Sequence, residues 1–273
     1  MAIEKFLEEN EDPSSGKTTF YKDVNVKRVL LCLHGLQTSA THDLTEFKKY
    51  FDEVNLNPNW EVVLVDLYKF GDKKTYGTKN VVRAAEKVTE EYLNKGYVVY
   101  VLAYSFSASI GARLCVLHPE IEKLVLVSPT IYVLRTGLMK GYIKLFIKHL
   151  KFNHKYKKKL KKKKNMAKIV KSSSKGFPKL IATVTGTVWG NRKYCKFLQN
   201  KVFVSVGKED ELCIPSTFTY ISKKSKSSVS LSKIYPSQNH TMIYNRDTGL
   251  EAYKDILYFL FHIAKNDEDA DIE

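Results

Sequence analysis

Three side chains that together can make an alcohol reactive stand far apart in this sequence. They are Ser105 in VLAYSFSAS (101–109), Asp210 in GKEDE (207–211) and His240 in PSQNHT (236–241). A serine hydroxyl is a poor nucleophile at neutral pH and needs a neighbouring base. Histidine titrates near neutrality, so it can take that proton and later return it to a leaving group. A carboxylate on the far ring nitrogen fixes the tautomer and steadies the imidazolium. The chemistry open to such a set is nucleophilic attack by an activated serine. The anion formed on attack needs backbone N–H donors, each typically contributing about 3 kcal/mol to the transition state. Phe106, the residue after the serine at a helix N-terminus, can supply one, and Leu36, just past His34-Gly35, the other. Glu209 and Glu211 flank the acid, and the Gly-x-x-Asp spacing from Gly207 favours Asp210.

The elements around these residues are short apolar runs alternating with helical patterns. KRVLLCL (27–33), WEVVLVDLY (60–68), VVYVLAY (98–104), IEKLVLVSP (121–129), KVFVSVG (201–207) and VSLSKIYPS (229–237) read as strands. THDLTEFKKYFDEV (41–54), KNVVRAAEKVTEEYLNKG (79–96) and SASIGARLCVLHPE (107–120) read as helices, with a short one near 216–225 and a last one near 249–265. Strands apolar on both faces that alternate with helices predict an α/β protein: a mainly parallel central sheet covered by helices on both faces. In such sheets, sites form at the carboxyl ends of strands. His34-Gly35-Leu36, Ser105, the loop holding Asp210 and the loop holding His240 all follow a strand directly. A sharp turn at Ser105 brings two backbones close together, and Ala103, Ser107 and Ala108 supply the small side chains that this requires.

The order strand–His-Gly, small-x-Ser-x-small, Gly-x-x-Asp and a late His resembles the α/β-hydrolase fold family. The resemblance covers roughly residues 25–130 and 200–265. It implies a hydrolase core over 1–130 and 201–273, with 131–200 inserted as a mainly helical cap or lid. Carried over residue by residue, it implies Ser105 as nucleophile, Asp210 as acid, His240 as general base, and Leu36 and Phe106 as the oxyanion hole. It requires neither a metal nor an organic cofactor. The elbow's usual glycines are Ala103 and Ser107 here, a variant similar to members with simple esterase chemistry. Asp66 in VDLYKFGDKK is all that remains of a loop that many members carry as Asp-x-x-Gly-x-Gly.

Charge sets one segment apart. The 273 residues carry 45 Lys and Arg against 29 Asp and Glu, a net charge of +16. Residues 131–200 hold 20 of the basic residues and no acidic one, so the remainder is slightly acidic, 25 against 29. MKGYIKLFIKHLKF (139–152) sets Tyr142, Leu145, Phe146 and Leu150 near one helical face and lysines largely on another, and HKYKKKLKKKKN (154–165) follows. As part of a lid, this reads as a surface attracted to anionic membrane lipids that also lines an acyl pocket. The expected substrate is then a small-molecule acyl ester such as a monoacylglycerol or lysophospholipid. Basic lid residues equally suit the phosphates of an acyl-coenzyme A, which would make the chain a thioesterase. A non-catalytic lipid- or membrane-binding protein on the same fold is the remaining alternative. A lysine run with little arginine and few aromatic partners argues against specific nucleic-acid readout.

The acidic, polar N-terminus is not a secretory signal, and no apolar stretch approaches ~20 residues, so a cytoplasmic protein is expected, with peripheral membrane contact through the cap. Cys32, Cys115, Cys195 and Cys213 show no Cys-x-x-Cys spacing and read as buried thiols. His34, His42, His118, His149, His154 and His262 read as turn, helix-end, lysine-segment or packing residues, none at metal-ligand spacing.

Overall fold

The computed structural model describes residues 11–12, 17–18, 26–36, 39–55, 57–131, 164–213, 217, 220–221, 223, 225–226 and 230–261. A two-residue ladder pairs β1 (Glu11–Asp12) with β2 (Lys17–Thr18). The body of the chain then alternates: β3 (Arg28–Leu33), α1 (Ala40–Val54), β4 (Trp60–Val65), α2 (Thr78–Asn94), β5 (Val98–Tyr104), α3 (Ala108–Leu117) and β6 (Lys123–Val127). After α4 (Lys164–Asn191) come β7 (Lys201–Gly207), β8 (Ser230–Tyr235) and α5 (Arg246–Phe261).

Six strands form one sheet in the order β4-β3-β5-β6-β7-β8, every neighbouring pair parallel. Valine and leucine dominate these strands, as a sheet buried on both faces demands. Alternate residues of β5 point to opposite layers. Val99, Val101 and Ala103 join Val81 and Ala85 of α2, Ile110 and Leu114 of α3, and Val184 and Val188 of α4. Tyr100, Leu102 and Tyr104 meet Phe47 and Phe51 of α1 and Tyr253, Ile256 and Leu257 of α5. Each fully buried side chain of this size contributes roughly 1.5–3 kcal/mol.

β3 lies between β4 and β5, so the chain reverses its direction of travel across the sheet there. That switch point opens a crevice above the carboxyl ends of β3 and β5. Leu33 and Ala103 are partners in register, which brings His34-Gly35-Leu36 and Ser105 out side by side.

The 131–200 segment, expected as one inserted cap, divides. Residues 132–163, which hold the stretch 139–152 and nearly all of the lysine run 154–165, lie outside the described residues. Farther on, Leu180, Val184 and Val188 of α4, with Cys195 and Leu198, are buried in the core layer beside α3. The reason is geometric: β6 and β7 are parallel neighbours, so the chain must run back along the sheet before β7 begins. A helix with apolar residues at 180, 184 and 188 covers the sheet as it does so. The C-terminal part of the segment therefore belongs to the core.

All four cysteines are buried thiols, and burial pushes each thiol's pKa up. Among the described residues, no group of three or more His, Cys, Asp and Glu is placed to hold a metal ion. No helix among them is long and apolar enough to cross a membrane.

Candidate active site

β5 ends at Tyr104 and a single 3₁₀ turn, Ser105–Ser107, leads into α3. Ser105 sits on that turn with φ at 61°, the left-handed region that a side chain normally avoids. Holding a non-glycine residue there costs of order 1–3 kcal/mol. Three features hold it. Ser107 is wholly buried, and its hydroxyl lies 3.0 Å from the Leu33 carbonyl and 2.8 Å from that of Tyr104. The Thr130 N–H donates to the Ser105 carbonyl at 3.2 Å. Gly111 lets α3 press onto β5, since a Cβ at this position would stand 2.9 Å from Ala103 Cβ and 3.0 Å from Leu124 Cδ1. Small residues at 103, 107 and 111 thus do the work of the missing elbow glycines. Gly111 was legible only as a glycine inside a helix.

Asp210 and His240 arrive on two loops at the carboxyl ends of β7 and β8. Backbone bonds join these loops: Lys208 N–H to Tyr235 O and Glu209 N–H to Gln238 O, both 2.9 Å. The loops approach so closely at Gly207 that an added Cβ would collide with the Gln238 carbonyl. The glycine of Gly-x-x-Asp is therefore a requirement of packing. Asp210 is buried, and its Oδ1 accepts from the Leu212 N–H at 2.8 Å and the Cys213 N–H at 2.7 Å.

The three side chains meet. His240 Nε2 lies 2.9 Å from Ser105 Oγ, and His240 Nδ1 lies 3.0 Å and 2.9 Å from the two oxygens of Asp210. With the carboxylate as acceptor, the ring proton resides on Nδ1, which leaves Nε2 to accept from the serine hydroxyl. Of the acidic cluster 209–211, Asp210 is the member that reaches the histidine; Glu209 and Glu211 do not take this place.

The expected oxyanion donors flank the serine. Phe106 N–H lies in the 3₁₀ turn ahead of α3, where the helix dipole favours negative charge. Leu36 stands on the loop after β3, packed against the same apolar cluster as Phe106. Among the described residues, no acceptor takes up either N–H.

His34 fixes that loop. Its Nε2 accepts from the Leu67 N–H at 3.0 Å, so Nδ1 carries the proton and donates to Gly35 O at 2.7 Å. Burial pulls its pKa down, which keeps the ring neutral as this bonding requires. Two carboxylates that sequence reading did not assign to the site support the loop. Buried Asp43 accepts from Gly35 N–H at 2.8 Å, and Asp66, read only as a motif remnant, accepts from Ala40 N–H at 2.8 Å at the start of α1. Tyr104 was missed as well. Its hydroxyl, buried and pushed well above its ordinary pKa by that burial, donates to the His240 carbonyl at 3.0 Å. Its ring lies 5.4 Å from the imidazole. Tyrosine in a strand reads as packing, and nothing in the pattern signalled this second task.

No family model matches the sequence, and no curated protein does. Solved structures match its fold. A hydrolase from Oleispira antarctica superposes with a TM-score of 0.60 at 13% identity, over 87% of this chain and 92% of that one. The peroxisomal alpha-beta-hydrolase of Saccharomyces cerevisiae gives 0.59 at 13%, over 92% and 82%. A monoacylglycerol lipase from Paleococcus ferrophilus gives 0.57 at 14%, over 86% and 96%. With its six parallel strands and a serine turn at the switch point, the chain has the α/β-hydrolase fold.

Proposed function

We propose that this protein is a serine hydrolase that cleaves carboxylic esters through an acyl-enzyme on Ser105. The observation that carries the reading is the unbroken relay from Ser105 Oγ through His240 to buried Asp210, with 2.9 Å at each end. A strained serine at a strand–helix turn, a correctly protonated imidazole and a buried carboxylate serve acyl transfer and have no evident purpose in packing.

On this reading the relay works in two halves. Ser105 Oγ attacks the substrate carbonyl carbon while its proton passes to His240 Nε2. The oxyanion is held by the N–H groups of Leu36 and Phe106, and Asp210 stabilises the imidazolium through Nδ1. His240 then gives the proton to the leaving alcohol oxygen as the C–O bond breaks, leaving the acyl group on Ser105. A water molecule, deprotonated by the same nitrogen, attacks the acyl-enzyme. Collapse of the second tetrahedral intermediate frees the acid and returns the proton to Ser105.

An acyl substrate suits the surroundings of the serine. Leu36, Tyr68, Tyr76 and Phe106 belong to one apolar cluster beside it, and the Tyr68 and Phe106 rings are 6.3 Å apart. The named activities among structurally similar proteins, a hydrolase and a monoacylglycerol lipase, support the same class. The test is turnover of a chain-length series of p-nitrophenyl esters, with a matched thioester and amide. The expected result is ester cleavage that falls by about 10⁴-fold or more in Ser105→Ala, with folding unchanged by circular dichroism. Equal turnover by the variant would remove Ser105 from the reaction. A preference for the thioester would move the substrate to the acyl-coenzyme A class.

A further inference from the structure

A hollow of about 410 Å³ on the outer flank of the core is lined by Trp189, Arg192, Lys193, Lys196 and Tyr220. Its volume lies within the range of small-molecule sites. Three of the five lining side chains are cations and two are aromatic. None is acidic, and no acidic residue occurs anywhere from 131 to 200.

The hollow is built on a fixed floor. Trp189 belongs to the last turn of α4, and residues 192–196 form a 3₁₀ turn directly after it. Cys195 and Leu198 are wholly buried and anchor this turn. Arg113 of α3 lies 2.9 Å from Glu86 through Nε and donates from Nη1 to the Tyr194 hydroxyl at 2.8 Å, which ties the turn to two core helices. The Arg192 guanidinium stacks over the Trp189 ring at 4.1 Å, so its plane is held before any ligand arrives. Trp189 nevertheless remains 48% exposed.

Cations at a helix C-terminus ordinarily answer the helix dipole. That dipole amounts to about half a negative charge, against three positive ones here. The surplus calls for a polyanion, and the exposed indole with Tyr220 in the same lining calls for a planar ring. Both aromatic side chains line the concavity, so a molecule that enters it meets them together with the three cations.

We propose that this hollow binds a nucleoside phosphate, its base packed against Trp189 and Tyr220 and its phosphates paired with Arg192, Lys193 and Lys196. The site is separate from Ser105 and stands whether or not the hydrolase reading does. The chain has only two tryptophans, and the other, Trp60, packs in the opposite layer, so indole fluorescence can report on the hollow. The experiment titrates Ser105→Ala protein, so that no reaction at Ser105 bears on the readout, with adenosine diphosphate, adenosine and inorganic phosphate. Trp60→Phe is added so that Trp189 alone emits, and calorimetry on the single Ser105→Ala variant guards against a folding defect in the double one. The expected result is saturable quenching by adenosine diphosphate, at least about tenfold weaker for adenosine or phosphate alone. Arg192→Ala should weaken it about five- to tenfold, and Lys193→Glu with Lys196→Glu should abolish it. Absence of saturable binding up to about 5 mM would overturn the proposal, as would binding indifferent to these substitutions. Binding confined to anionic phospholipid vesicles or to oligonucleotides would also overturn it, by giving the patch to another class of partner.

Discussion

Ser105 is held at φ 61° in a turn so crowded that Ser107 and Gly111 must both be small, and that strain aims its hydroxyl at the His240 ring. The three side chains that meet here were legible in the sequence because each lies in the turn or loop at the carboxyl end of a strand. Their support was not legible. Asp43 acts through the backbone of Gly35, across the turn that precedes its helix, and Tyr104 through that of His240, far away in the chain; no spacing rule announces either bond. Tyr104 offers a test of positioning. Tyr104→Phe keeps the ring but removes the donor to the His240 carbonyl, a neutral hydrogen bond of about 1 kcal/mol. Ester kcat should fall roughly three- to tenfold with KM unchanged. Unaltered kcat would show that the ring alone sets the histidine loop.

At the scale of elements, the site depends on two close approaches of backbone. One brings α3 onto β5 at Gly111, and the other brings the Asp210 loop onto the His240 loop at Gly207. The strands were readable, since VVYVLAY and KVFVSVG are apolar on both faces and end abruptly. The last part of 131–200 was not, because it follows the lysine-rich stretch without a break and was grouped with it, which hid the stripe Leu180, Val184, Val188 that places α4 over the sheet. Gly207→Ala should push Gln238 away and spread the loops that bring Asp210 to His240. Ester kcat should drop at least about tenfold, while thermal stability falls by roughly 1–3 kcal/mol, the usual cost of overpacking. Retention of full kcat would mean that the loops are held by something other than this contact.

Across the whole molecule, charge and burial set how stability responds to pH. Lys123 opens β6 in the core, and its Nζ donates to the Phe259 and Leu260 carbonyls at the end of α5, at 2.9 and 3.0 Å. Burial pushes its ammonium down to about 8 from an ordinary 10.5. Between those values the unfolded chain holds a proton that the folded chain has released, so this residue's contribution grows more favourable as pH rises through that window. Unfolding free energy, measured for the wild type relative to Lys123→Met, should therefore rise by about 1–3 kcal/mol between roughly pH 7.5 and 10. A flat or falling difference would contradict the burial of that charge. Activity of the proposed kind requires one hydroxyl to be made reactive by one imidazole. Its most direct test is labelling of the full chain with a fluorophosphonate probe, followed by mass spectrometry of the modified peptide. Rapid, stoichiometric phosphonylation at Ser105 that disappears in His240→Ala is the expected result. Failure to label, or a label on any other residue, would contradict it.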